Sequence, residues 1–132
     1  PSVSPNLTWT VVGCDRFVRF PEEMNWHQGR ALCQSHGLDL YRPCNLTAVA
    51  QYLDDNFRDT WYWLGAQGNG THQVWFSGEV LISAEPWYSN YFQRVGTTYC
   101  LDVITHSGLY RKGTILAATS CSRRTNIDVL CG

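Results

Sequence analysis

Residues 61–65 read Trp61-Tyr62-Trp63-Leu64-Gly65, and the fold turns on this run. A short, wholly apolar stretch bounded by turn signals reads as a buried strand. Downstream, Gly68-Asn69-Gly70 forms a turn, and Val74-Trp75-Phe76 is a second short strand ahead of Ser77-Gly78. Residues 80–98 follow as an irregular, aromatic-rich stretch. Tyr99–Thr105, Thr114–Cys121 and Ile127–Cys131 are three further strand-like runs separated by Gly, Ser and Arg turns.

Upstream the periodicity changes. Residues 9–20 are β-branched and aromatic and predict a strand. Pro21-Glu22-Glu23 then opens a helix over 22–36, with Met24, Trp26, Ala31, Leu32 and Cys33 as its inner stripe and Gly37 as its stop. Asn45 is a good N-cap for a second helix, with Leu46, Val49, Ala50 and Leu53 at helical spacing and Phe57 continuing the stripe. One strand, two helices and then several strands predict an α+β fold with the helices packed on antiparallel sheets.

Composition sets the compartment and the size. The chain has 132 residues, which is a single domain, 1–132, with one core. With 44% hydrophobic and 16% charged residues it is too apolar for a disordered chain. No apolar run is long enough to cross a bilayer, so no membrane insertion of this segment is expected. No signal segment is visible, and Pro1 reads as the start of a trimmed mature domain. A net charge of -1 argues against nucleic acid as a partner.

Six cysteines suggest three disulfides and an oxidising compartment. By the residues alone, six cysteines allow about fifteen pairings. Three sequons, at Asn6, Asn45 and Asn69, exceed the roughly one expected by chance for this content of Asn, Ser and Thr, and predict an extracellular glycoprotein. Charge is uneven: residues 1–87 carry five Arg and nine acids, whereas residues 88–132 carry five basic residues and two acids.

Taken in order, these features resemble the C-type lectin-like domain over almost the whole chain, from about Trp9 to Cys131, which implies a core of about 9–131. The marks are Trp26 and Cys33 on the first helix, Trp63-Leu64-Gly65, Trp75, Ser77-Gly78, Trp87, and then Cys100, Cys121 and Cys131. The resemblance implies Cys33–Cys131 and Cys100–Cys121, which leaves Cys14 with Cys44. In the common long form of the family, a cysteine near Cys14 pairs with an earlier one, and none precedes Cys14 here.

The family's calcium ligands are a different matter. Calcium takes about six to eight oxygen ligands, several of them carboxylates. The resemblance places these after Trp87, just before Cys100, and in a triplet before Cys121. Here those places hold Tyr88-Ser89-Asn90-Tyr91-Phe92-Gln93, Thr97-Thr98-Tyr99 and Leu116-Ala117-Ala118. Glu85-Pro86 lies on the wrong side of Trp87, and Asp102 is the only carboxylate between Pro86 and Ile127. No metal and no cofactor is therefore expected.

Nor does the chain read as an enzyme. His27, His36, His72 and His106 have no metal-ligand spacing, and no nucleophile elbow or phosphate loop occurs. The expectation is an extracellular recognition module, secreted or part of an ectodomain, that binds a protein partner without calcium. Tyr88, Tyr91, Phe92 and Arg94 are its expected contacts, with Arg111 and Lys112 as a basic supplement. A calcium-independent lectin acting on a glycan, including an anionic one, is the alternative. A structural module of a larger receptor is the third reading.

Overall fold

Two asparagines set where the helices begin. The computed structural model describes residues 5–57, 60–68, 73–75, 80–81, 98–105 and 116–132. Helix α1 runs Trp26–Ser35, capped by Asn25. The Asn25 side chain accepts from the Gln28 amide at 2.8 Å, and the Gln28 side chain accepts from the Asn25 amide at 3.1 Å. This reciprocal pair fixes the start four residues later than Pro21-Glu22-Glu23 suggests. The helix ends as expected at Gly37, whose φ of 78° lets the Gly37 and Leu38 amides return to the Gln34 and Cys33 carbonyls. Its buried stripe is Trp26, Gly29 and Cys33; Ala31 is exposed, and Met24 lies before the helix.

Helix α2 runs Leu46–Asn56 with Asn45 as its N-cap, the Asn45 side chain accepting from Ala48 N at 3.2 Å. Val49, Ala50 and Leu53 are buried as the spacing requires, and Leu46 and Phe57 pack at the margin.

Residues 9–20 form a hairpin in place of one strand. Strand β1 (Thr10–Val12) pairs antiparallel with β2 (Asp15–Phe20) through a two-residue turn at Gly13-Cys14, where Gly13 has a φ of 59°. The remaining described strands are β3 (Thr60–Gly68), β4 (Gln73–Trp75), β5 (Val80–Leu81), β6 (Tyr99–Thr105), β7 (Leu116–Thr119) and β8 (Ile127–Cys131). Val80-Leu81 pairs with β4 and so lies in a strand, within a stretch the sequence reads as irregular. Phe76, expected in the strand of Val74 and Trp75, lies outside the described residues.

The sheet order is β1-β2-β8-β3-β4-β5, with β6 on the other edge of β3 and β7 beyond it. All described pairs are antiparallel except β3–β8, which is parallel. β3 is the organising strand. Its Trp61–Trp63 half pairs with β8 and its Ala66–Gly68 half with β4, while β6 follows both halves across an irregularity between Trp63 and Gln67.

Alternation along the strands sorts side chains onto two faces. Tyr62, Leu64, Leu101, Val103 and Leu130 join Val49, Ala50 and Leu53 of α2. Trp63, Cys100, Ile127, Val129 and Cys131 join Trp26 and Cys33 of α1. A helix thus covers each face, which explains why residues 61–65 carry no polar position. Two indoles lock α1 and its approach to β3: Trp26 Nε1 donates to the Leu64 carbonyl at 3.0 Å, and Trp63 Nε1 to the Met24 carbonyl at 2.8 Å.

The disulfides are Cys14–Cys44, Cys33–Cys131 and Cys100–Cys121. On the chain-entropy account the Cys33–Cys131 loop, 98 residues in separation, contributes most, roughly 4–5 kcal/mol.

Candidate functional site

Tyr88, Tyr91, Phe92, Arg94, Arg111 and Lys112 all lie outside the described residues, as does Trp87. The structure describes the frame that holds the two segments carrying them. Leu81 pairs with Gln73, Gln73 with Gly68, and Gly68 with Tyr99, so these four residues form one row across β5, β4, β3 and β6. Segment 82–97 leaves and re-enters the sheet at the two ends of that row, roughly 14 Å apart at about 4.8 Å per strand spacing. Segment 106–115 joins Thr105 to Leu116, and Thr105 pairs with Thr60 at the opposite end of β3. The anchors of the two segments therefore stand roughly 20 Å apart along β6, at about 3.3 Å of rise per residue. The sequence groups Arg94 with Arg111 and Lys112 by proximity along the chain; the strands separate their anchor points.

The Tyr99 side of this row is cross-linked to the rest of the sheet. Cys100–Cys121 ties the start of β6 to the turn after β7, and the Gln67 side-chain amide lies 3.6 Å from Cys100 Sγ. At the other end the Thr105 hydroxyl donates to the Thr60 carbonyl at 2.6 Å and accepts from the Thr60 amide at 3.1 Å, which ties β6 to β3.

Asp102 sits between the two ends on the face of β6 that holds Cys100 and Ile104. It is fully buried, and its Oδ1 accepts from the Thr119 hydroxyl at 2.8 Å. Its Oδ2 has no hydrogen-bond partner among the described residues. Burial pushes its pKa up to about 8, opposed by the Thr119 hydroxyl and by the Arg123 guanidinium. The carboxyl is thus mainly protonated at neutral pH, with one oxygen already engaged.

These groups do not fit calcium. Leu116 and Ala117 present buried hydrocarbon where the resemblance places ligands, and Tyr99 before Cys100 is buried too. Among the described residues no group of three or more His, Cys, Asp or Glu could hold a metal ion.

Arginines meet aromatic rings at several places. Arg16 lies 3.8 Å from the centre of the Trp9 ring, Arg19 3.6 Å from Phe57 and Arg123 4.2 Å from Trp61. Arg123 also donates from Nε to the Thr125 carbonyl at 3.0 Å, so its head is held against its own domain. Its neighbour Arg124 is exposed. Of the sequons, Asn6 and Asn45 are exposed and Asn69 lies outside the described residues.

Sequence reasoning also missed Asp15, a fully buried carboxylate. It accepts from the Tyr41 hydroxyl, from Cys44 N and, at 2.9 Å, from Asn45 N. Tyr41 is driven above the ordinary phenol range by burial, reinforced by its hydrogen bond to Asp15. The only local sign is an acid between a cysteine and a β-rich run, which has no distinctive pattern.

No protein-family model matches the chain, and no curated protein sequence does. Solved structures do match. TC14, a C-type lectin from the tunicate Polyandrocarpa misakiensis, superposes with a TM-score of 0.68 at 20% identity over 87% of this chain and 94% of that one. SPL-1 in complex with GlcNAc gives 0.71 at 16% identity, over 93% and 90%. A calcium-independent type II antifreeze protein gives 0.65 at 17% identity, over 98% and 92%. Their shared architecture, together with the two helices, the mixed sheet and the three disulfides described here, makes this chain's fold the C-type lectin-like fold.

Proposed function

We propose that the chain is an extracellular recognition domain that binds a protein partner without calcium and performs no catalysis. The observation that carries this reading is the buried hydrocarbon of Leu116 and Ala117, beside a single buried carboxyl, where calcium ligation would need exposed oxygens. Three disulfides and the exposed sequons at Asn6 and Asn45 support an oxidising compartment and glycosylation.

The contact residues in this reading are Tyr88, Tyr91, Phe92 and Arg94, in the segment anchored between Leu81 and Thr98. Tyrosine and phenylalanine bring large area with few rotatable bonds, which limits the entropy lost on binding. Against an isolated partner, Tyr91→Ala and Phe92→Ala should each weaken binding by roughly 1–3 kcal/mol with the domain still folded. Arg94→Glu should mainly slow association and change its salt dependence. Substitutions that lower the melting temperature steeply, and binding only in proportion, would identify these rings as core.

A second reading is supported by the likeness to SPL-1, a protein solved with GlcNAc. Here the same segment stacks on a sugar, or the basic residues of the second half, Arg111 and Lys112 among them, grip an anionic glycan. A glycan array with and without calcium separates the readings. Anionic-glycan binding would fall steeply with salt, and an aromatic-centred protein interface much less.

A further inference from the structure

The disulfides differ in what surrounds them. Cys33, Cys131 and Cys100 are fully buried, and Cys121 is half-buried against the core around Trp26 and Trp63. Cys14 and Cys44 are both exposed. They join the tip of the β1–β2 hairpin to the start of α2.

Those two segments are also joined without the sulfurs. The Asp15 carboxylate, next to Cys14 in sequence, accepts from the Cys44 and Asn45 amides and from the Tyr41 hydroxyl. Tyr41 N donates in turn to the Leu130 carbonyl at 3.0 Å, and Gly132 N to the Asp39 carbonyl at 3.0 Å. The chain between the two cysteines is pinned again by Cys33–Cys131. Breaking Cys14–Cys44 therefore frees little of the native structure.

We propose that Cys14–Cys44 is a thiol-exchange site: it reacts with low-molecular-weight thiols in the native protein while the other two disulfides and the fold persist. A thiolate attacks Cys14 Sγ; the new sulfur–sulfur bond forms as the Cys14–Cys44 bond breaks, and Cys44 leaves as a thiolate that takes a proton from water. A second thiol then attacks the incoming sulfur of the mixed disulfide and releases Cys14. In total, two electrons reduce the protein disulfide and two small thiols become one disulfide. Cys44 is the better leaving group. It lies directly before the N-cap of α2, at the positive end of the helix dipole, and the first turn of that helix has no acid.

The test is timed alkylation. Native protein is held in millimolar reduced glutathione, quenched with iodoacetamide at intervals and mapped by peptide. Label should reach Cys14 and Cys44 at least about tenfold faster than the other four cysteines, because exchange rates follow access. Near-ultraviolet circular dichroism should stay unchanged over that interval. Equal labelling of Cys100 and Cys121, or loss of the spectrum together with labelling, would overturn the proposal. A Cys14→Ser, Cys44→Ser double variant provides the independent check. It should fold with both remaining disulfides formed, and a chain that failed to do so would show that the bond is needed for folding.

Discussion

Asp102 is the residue whose chemistry departs furthest from its surface reading. Counted as an acid in the sequence, it behaves as a neutral hydrogen-bonding group, because burial lifts its pKa from 3.8 to about 8. Between those values the folded chain holds one proton more than the unfolded chain. Stability therefore falls as pH rises through that window, and this contribution is level below and above it. Asp102→Asn keeps an acceptor for Thr119 and removes the titration. Thermal unfolding of both proteins at pH 5 and pH 8 should show the native chain losing on the order of 2–4 kcal/mol more than the variant. Equal losses would place the Asp102 carboxyl in the ordinary range. Asp15 is buried as well, but each of its oxygens meets a donor. Nothing in the sequence tells these two buried carboxyls from the exposed Glu22, because their partners stand 17 to 30 residues away.

At the scale of elements, local signals are read well where they are self-contained. Asn45 and Gly37 each act within one turn of chain, and both stand where the sequence places them. The start of α1 is different, since Pro and Glu are also permitted before a cap, and the Asn25–Gln28 exchange decides the boundary. The hairpin at 10–20 was hidden because Gly13 and Cys14 interrupt an otherwise continuous β pattern by only two residues. Gly29 shows what packing adds. A Cβ there would lie 3.1 Å from Val129 Cγ2 and 3.6 Å from Trp63 Cδ1, both within the core. Gly29→Ala gains up to about 1 kcal/mol of helix propensity but crowds Val129, so its net effect should be small. Gly29→Leu should destabilise by roughly 1–3 kcal/mol, measured by denaturant unfolding. A neutral leucine would mean that α1 can lift from β8 and β3 at little cost.

For the whole molecule, the fold was legible because it rests on residue types that few folds need in that order: Trp26, Cys33, Trp63 and the late cysteines. The expected contact residues lie outside the described residues, and only the anchors of their segments can be compared with the sequence order. Arg94 and Arg111 stand 17 positions apart in sequence, yet the segments bearing them are anchored at opposite ends of β6. The proposed calcium independence has a simple thermodynamic consequence. A ligand of the native state stabilises by mass action, about 2–3 kcal/mol at a hundredfold excess over its dissociation constant. Millimolar calcium should therefore leave the melting temperature of this chain unchanged. A rise of several degrees that a chelator reverses would show that the loop ligands were misread or that a second calcium site exists.

The position of β8 bears on how the protein is made. This strand is made after every other described strand, yet it lies in the interior of the sheet, between β2 and β3. Neither face can close before it arrives. Until then the nascent chain carries the uncovered rings of Phe17, Trp26 and Trp63 and a free thiol on Cys33, whose partner Cys131 lies in β8. Cys14 and Cys44 can meet early, Cys33 must wait, and Cys100 and Cys121 emerge while it is still unpaired. Folding of this domain should therefore depend on the isomerases and chaperones that guard half-made chains, with Cys33 as the thiol most exposed to wrong partners.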